Sequence, residues 1–196
     1  MIREHDNTQP SGDTSLRFWF KGEQDRLIDE ISGNSIMINQ NLMVWDTTRQ
    51  AYKFNKPSSY TNKYVAHCEC DIGITQIPVT AIADVYPYSA GTNVALLDTW
   101  PTRQAMFGIQ YSCLTSNQWN RVAVIWEYTA NTATAKRYVN GILKLTNTYT
   151  SDGSYNKYQG VALDFTNQWS GDWGVFFGKN FRLYNRILTL DEIAAL

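Results

Sequence analysis

The sequence is short of charge, of histidine and of cross-linking residues. Asp, Glu, Lys and Arg make up only 18% of its 196 residues, 17 basic against 18 acidic, where a soluble domain usually carries about 25%. A formal charge of −1 without a Lys/Arg run provides no field to hold a phosphate backbone, so nucleic acid is excluded as a partner. No apolar stretch approaches the ~18 residues that cross a bilayer, so no membrane insertion is expected. His5 and His67 are the only histidines. With the scattered thiols they form no zinc set of usable spacing, and neither lies in a serine-hydrolase motif, for no Gly-x-Ser-x-Gly occurs. The glycines from Gly171 to Gly178 lack the Lys-Ser/Thr and helix of a phosphate loop. The first residues, MIREHDNTQPSGDTS, carry no apolar segment of a secretory leader. An extracellular or virion-surface location is nevertheless expected, reached without such a leader, after its removal, or by release on lysis.

The cysteines are three, Cys68, Cys70 and Cys113. An odd number leaves at least one outside any internal bridge, and Cys68 with Cys70, two positions apart on an extended strand, would make a strained disulfide. All three are expected to pack as small apolar residues.

Aromatic and uncharged polar residues take the place of charge. Seven Trp, 12 Tyr and 8 Phe within a 43% hydrophobic content can bury a large core, which excludes disorder. Asn, Thr, Ser and Gln supply 57 residues. Thr and aromatics favour strands while Asn and Ser favour turns, so the composition points to an all-β protein. Residues 1–15 hold only Met1 and Ile2 as large apolar side chains and read as an N-terminal arm, tied to its own domain or to a neighbouring subunit. Residues 16–196, without repeat or linker, read as one domain.

Short apolar or alternating runs predict strands over 16–20, 42–45, 51–54, 64–75, 79–86, 94–97, 104–111, 121–128, 135–139, 142–146, 161–165, 174–177 and 181–184. The run 121–128 suits a strand covered on both faces. Asn140-Gly141 between Tyr138-Val139 and Ile142-Leu143 is a hairpin signal, because a type I′ turn needs positive φ at both central positions. Thr189 followed by Glu192 forms a capping box, and Ile193 with Leu196 gives one apolar stripe, so the chain closes in a short helical turn. About a dozen strands in one unit imply a two-sheet antiparallel jelly-roll sandwich.

Four segments, in order, resemble the LamG-like jelly rolls of the concanavalin A-like lectin/glucanase superfamily. LRFWFKGEQDRLIDEISGN, residues 16–34, is similar to an opening aromatic strand that leads to an Asp-x-Ser-Gly-Asn turn. Here that turn is Asp29-Glu30-Ile31-Ser32-Gly33-Asn34, with one extra residue. Gln118-Trp119-Asn120-Arg121-Val122-Ala123 resembles a Trp-x-x-Val-Ala strand start, and Tyr138-Val139-Asn140-Gly141 a Tyr-Val-Asn-Gly hairpin. FRLYNRILTLDEIAAL, residues 181–196, is similar to the closing strand and its Glu-Ile turn. The resemblance implies the fold; the superfamily holds lectins, glycosidases, adhesion modules and structural parts, so function must come from the site.

Glucanases of the superfamily place their carboxylates on one strand as Glu-x-Asp-x-(x)-Glu. This chain has Glu69-Cys70-Asp71 but Gly73 and Ile74 where the last Glu belongs, so the pair needed for retaining hydrolysis is incomplete. By alternation, Ala66, Cys68, Cys70, Ile72 and Ile74 share one face of that strand and His67, Glu69, Asp71 and Gly73 the other. The second row could bind sugar hydroxyls or be a solvated face.

Trp19, Trp119 and Trp126 lie in strand patterns and are expected in the core. Trp45, Trp100, Trp169 and Trp173 border turns and are candidates for stacking on a pyranose ring, with edge packing or subunit contact as the alternative. The candidate ligand-binding residues are thus Trp169, Trp173, Trp100, Arg103, His67, Glu69 and Asp71. Calcium would need several loop oxygens, and Asp29, Asn34 and Asp152 could contribute, although the acidic residue that the family carries before the last strand is replaced by Gly178-Lys179-Asn180.

The function expected is a non-catalytic recognition or attachment module for a glycan or cell-surface polysaccharide, plausible on a phage virion or another extracellular assembly. Contacts with assembly proteins would run through arm 1–15, with homo-oligomerisation a further option. A purely structural decoration protein and a glycoside hydrolase are the alternatives.

Overall fold

The computed structural model describes residues 13–38, 42–55, 66–68, 79–88, 93–100, 106–129, 131–150, 162–165 and 175–196. Along the chain these form β1 (Leu16–Phe20), β2 (Ile36–Ile38), β3 (Met43–Asp46), β4 (Ala51–Phe54), β5 (Ala66–Cys68), β6 (Val79–Pro87), β7 (Asn93–Trp100) and β8 (Met106–Gln110). A 3₁₀ turn at Tyr111–Cys113 leads to β9 (Asn120–Thr129), β10 (Thr132–Val139), β11 (Ile142–Thr150), β12 (Ala162–Phe165), β13 (Phe176–Tyr184) and helix α1 (Leu190–Ala195). The predicted strands are recovered with shifted ends, and the one expected over 64–75 is described only in β5.

The strands form two antiparallel sheets. One runs β11-β10-β9-β6-β13-β4-β3, with β1 also paired to β13, and the other runs β2-β5-β12-β7-β8. Both sheets contribute to one core: Phe18, Phe20, Phe54, Val79, Val85, Val124, Trp126, Phe176 and Phe181 from the first meet Ile36, Ala66, Cys68, Val94 and Ile109 from the second. This is the two-sheet antiparallel jelly-roll sandwich that the residue pattern predicts.

The larger sheet is also covered on its outer face. Leu16, Trp19, Ile82, Ala123, Ile125, Tyr184, Leu188 and Ile193 form a second cluster, which is why β9 is apolar on both faces. The cover is α1 with the chain before it. The Thr80 hydroxyl donates to the Arg186 carbonyl at 2.8 Å and accepts from the Leu188 N–H at 3.1 Å, pinning that segment onto β6. The Thr189 hydroxyl accepts from Glu192 N–H, and the Glu192 carboxylate accepts from Thr189 N–H, so the predicted capping box forms and occupies donors that a helix start otherwise leaves open.

Two local features differ from the sequence pattern. Ile36–Ile38 forms a three-residue strand that no run signals; it exists through pairing with β5. The last two predicted strands are one, β13, bridged by a bulge between Lys179 and Arg182. Asn180, at φ 55°, supplies the positive φ of that bulge, and Gly178 is needed just before it, because a Cβ there would lie 2.6 Å from the Phe181 ring.

Candidate functional site

Two of the sequence candidates, His67 and Trp100, lie on strands of the smaller sheet. Ala66 and Cys68 are fully buried in the core, which sets His67 on the opposite face by alternation. Met37, the register partner of His67, is 47% exposed, and this identifies that face as the outer one. The register continues the row: His67 of β5 lies opposite Asp164 of β12, and Asp164 opposite Asp98 of β7. Directly opposite residues of an antiparallel pair share a face. Trp100, two residues beyond Asp98 and opposite Ala162, occupies the same face. The register therefore places residues 67, 164 and 98 opposite one another across three neighbouring strands, with residue 100 two positions along. Asp164 gives no signal in its own sequence context; only the register brings it between His67 and Asp98.

The ends of these strands order the remaining candidates. With β12 antiparallel to both β5 and β7, the chain leaves β5 at Cys68 and β7 at Trp100 toward one end of the sheet. It leaves β12 at Phe165 toward the other. Glu69 and Asp71 follow the first exit, Arg103 the second, and Trp169 and Trp173 the third; these five lie outside the described residues, as do Asp152 and Cys70.

Asp29 is fully buried in the turn that follows β1. Its Oδ1 accepts from the N–H groups of Trp19 at 2.9 Å and Ile31 at 3.1 Å, and its Oδ2 from the Ser32 N–H at 3.0 Å and the Ser32 hydroxyl at 2.5 Å. Four donors match the four acceptor sites of a carboxylate, so the residue builds the turn. Asn34 closes it by accepting from Asp29 N–H through its carbonyl, 2.9 Å. Among the described residues no three His, Cys, Asp or Glu side chains form a set that could hold a metal ion.

The tryptophans divide differently from expectation. Trp19 and Trp126 are buried as predicted, and Trp126 stacks on Tyr149 at 5.7 Å. Trp119, predicted as core, is half-buried on the outer face of the larger sheet. It precedes β9, where the ring can reach sideways onto Tyr86, centroids 5.9 Å apart. Trp45, a stacking candidate, lies in β3 and packs edge-on against Tyr52 at 5.1 Å beside the core.

Trp119 belongs to a feature that the sequence pattern does not reveal. Lys53, Phe177 and Tyr86 are register partners across β4, β13 and β6. Tyr88–Phe177, Phe177–Tyr86 and Tyr86–Trp119 are consecutive edge-on ring pairs at 5.3, 6.0 and 5.9 Å. Arg49 lies 4.3 Å from the Phe177 centroid and 4.8 Å from that of Tyr86. Lys53 sits 4.6 Å from Tyr88, and Lys179 4.8 Å from Trp119.

Beside this strip is a denser charge group. Asp84 receives Arg121 Nε at 2.9 Å and Nη2 at 3.1 Å, together with Asn180 Nδ2 at 2.8 Å. Arg182, 2% exposed, lies 4.7 Å from the Trp19 centroid. Burial pushes its pKa down, an effect that Tyr184 and Asp84 oppose.

No protein-family model matches the chain, and no curated protein matches it. Solved structures do. The receptor-binding domain of botulinum neurotoxin type G superimposes with a TM-score of 0.62 at 13% identity, over 92% of this chain and 50% of that one. A structure concerned with cell entry of botulinum neurotoxin type C through two ganglioside molecules gives 0.62 at 12% identity, with 92% and 50% covered. The type D ligand-binding domain in complex with N-acetylneuraminic acid gives 0.60 at 10%, with the same coverage. The likeness is one of fold, and the chain spans about half the length of these proteins.

Proposed function

We propose that this chain is a non-catalytic glycan-recognition module of the concanavalin A-like, LamG-related kind. The observation that carries the reading is the outer face of the smaller sheet, where His67, Asp164 and Asp98 follow one another in register with Trp100 two residues along. Sugar binding combines a flat apolar surface for the C–H face of a pyranose with acceptors for its hydroxyls, and this row supplies both residue types on one plane. Glu69, Asp71, Arg103, Trp169 and Trp173, which lie outside the described residues, are the further candidate ligand-binding residues. The ganglioside and N-acetylneuraminic acid complexes of the botulinum domains belong to those proteins and support the reading by analogy of fold.

A place on a virion or another extracellular surface fits such a module, with arm 1–15 as its attachment. The root of the arm is held: Arg186 donates to Asp13 at 3.1 Å and to the Ser15 hydroxyl at 2.9 Å.

The test is binding of the intact chain to a glycan array, repeated with Trp100→Ala and Asp164→Asn. Loss of at least about tenfold in affinity in each, with the melting temperature unchanged, is the expected result. Failure of the intact chain to bind any glycan would overturn the reading. Release of reducing sugar from a bound oligosaccharide would convert it to a hydrolase using Asp98 and Asp164.

A further inference from the structure

The strip on the larger sheet faces away from the row just described and has the opposite chemistry. Its cations are held by rings. Arg49 lies over Phe177 and Tyr86, Lys53 over Tyr88 and Lys179 over Trp119. Arg49 also pairs with Asp46 at 3.7 Å, whereas among the described residues Lys53 and Lys179 make no ion pair. A cation resting on a neutral ring is positioned without being neutralised. Lys53 and Lys179, with Arg49 shared between its rings and Asp46, give preorganised positive charge along four connected rings in a protein whose net charge is −1. Arg121, one strand further, differs because Asp84 consumes it. Tyr88 is 54% exposed and offers apolar ring surface to a ligand alongside Lys53.

We infer that this strip is a second binding site, for an acidic polysaccharide whose carboxylates meet Arg49, Lys53 and Lys179 while a sugar ring lies against Tyr88. The inference rests on the glycan-recognition reading and names a ligand class for a different face. A neutral glycan would leave Lys53 and Lys179 without an ionic partner among the described residues. Single-stranded nucleic acid also combines anions with flat rings, but three cations with Asp46 and Asp84 close by do not make the continuous basic groove that tracks a phosphate backbone. Because ring contacts already limit the motion of the cationic side chains, less conformational freedom is lost on binding.

Affinity electrophoresis of the intact chain tests this with polygalacturonate, dextran, polyacrylate and poly(dT) in the gel. Polygalacturonate is expected to retard the protein, and dextran and poly(dT) are not. Lys53→Glu combined with Lys179→Glu should weaken polygalacturonate binding by at least about tenfold, and Tyr88→Ala by about threefold. Lys53→Ala, a single change at a half-buried position, covers the case in which the double variant fails to fold, and should also weaken binding. No retardation by polygalacturonate overturns the inference. So does equal or tighter binding of poly(dT), and so does equal binding of polyacrylate with Tyr88→Ala unaffected, which would describe a simple ion exchanger. Neutral-glycan binding that depends on Trp100 and survives in the Lys53→Glu, Lys179→Glu variant would leave the glycan-recognition reading standing whatever polygalacturonate does.

Discussion

Arg137 of β10 donates from Nε to the Gly108 carbonyl of β8 at 2.6 Å, a hydrogen bond that crosses from one sheet of the sandwich to the other. The residue stands opposite Val124 in the register, on the inner face where an apolar residue would be expected. Its Nη1 donates to Asn147 Oδ1 at 2.7 Å, so a buried charge is satisfied by groups from both neighbours.

Replacing Arg137 with Met should keep the packing of the stem and lose both bonds. Hydrogen bonds to charged groups contribute about 1.5–3 kcal/mol each, and the Gly108 carbonyl is left unpaired. A loss of about 2–3 kcal/mol in urea denaturation is expected. Lys at this position should not restore it, because a single ammonium lacks the forked geometry that reaches both acceptors.

Asp84 pairs with Arg121 and acts electrostatically on the buried Arg182. Asp84→Ala should destabilise by about 3–5 kcal/mol, since it leaves cations without their counter-charge in a poorly solvated place. Adding Arg121→Met in the same chain should recover part of that loss. A double-variant measurement showing strict additivity would rule out this coupling.

Asp29→Ala removes the acceptor of three backbone N–H groups and a hydroxyl, and about 3 kcal/mol of stability should go with it. The same turn decides the calcium question. With its acceptor sites filled by the protein, the wild-type melting midpoint should be equal in calcium and in chelator. A calcium-dependent rise that disappears in Asp29→Ala would reassign the turn to a cation.

The C-terminal helix should carry a pH signature. The hydrogen bond from Arg186, and then the Thr189 N–H, hold the Glu192 carboxyl down at about 2 against an ordinary 4.5. A folded-state value below the unfolded one means that the contribution is complete above the ordinary value and is lost as pH falls from there through about 2. Glu192→Gln keeps the cap's reach but not the charge. It should melt below wild type at pH 7, and the difference should vanish near pH 2.

Much of the fold is legible in short segments. Asn140 and Gly141 both take positive φ, 51° and 79°, and the hairpin closes on Val139 and Ile142 as their dipeptide requires. Thr189 and Glu192 cap α1 because the box is satisfied within four residues. The alternation in β5 put Ala66 and Cys68 on one face, and both are buried; β9, read as covered on both faces, contributes to both apolar clusters. Trp119 escaped the same logic: it stands at the mouth of a strand, where its ring packs sideways onto Tyr86 rather than beneath the sheet. Asn180 escaped too, because the bulge that unites two predicted strands is held by Asp84, 96 residues away in sequence.

The amino-acid sequence by itself determined the strand content, the turns, the cap and the low charge, because each depends on interactions within a few residues or on composition. Tertiary structure alone decided which side chains became neighbours. His67, Asp164 and Asp98 form one row, and Arg49, Lys53 and Lys179 one strip, through pairing between strands far apart in the chain. Register is set by the mutual fit of two sheets over a common core, and no single strand contains that information.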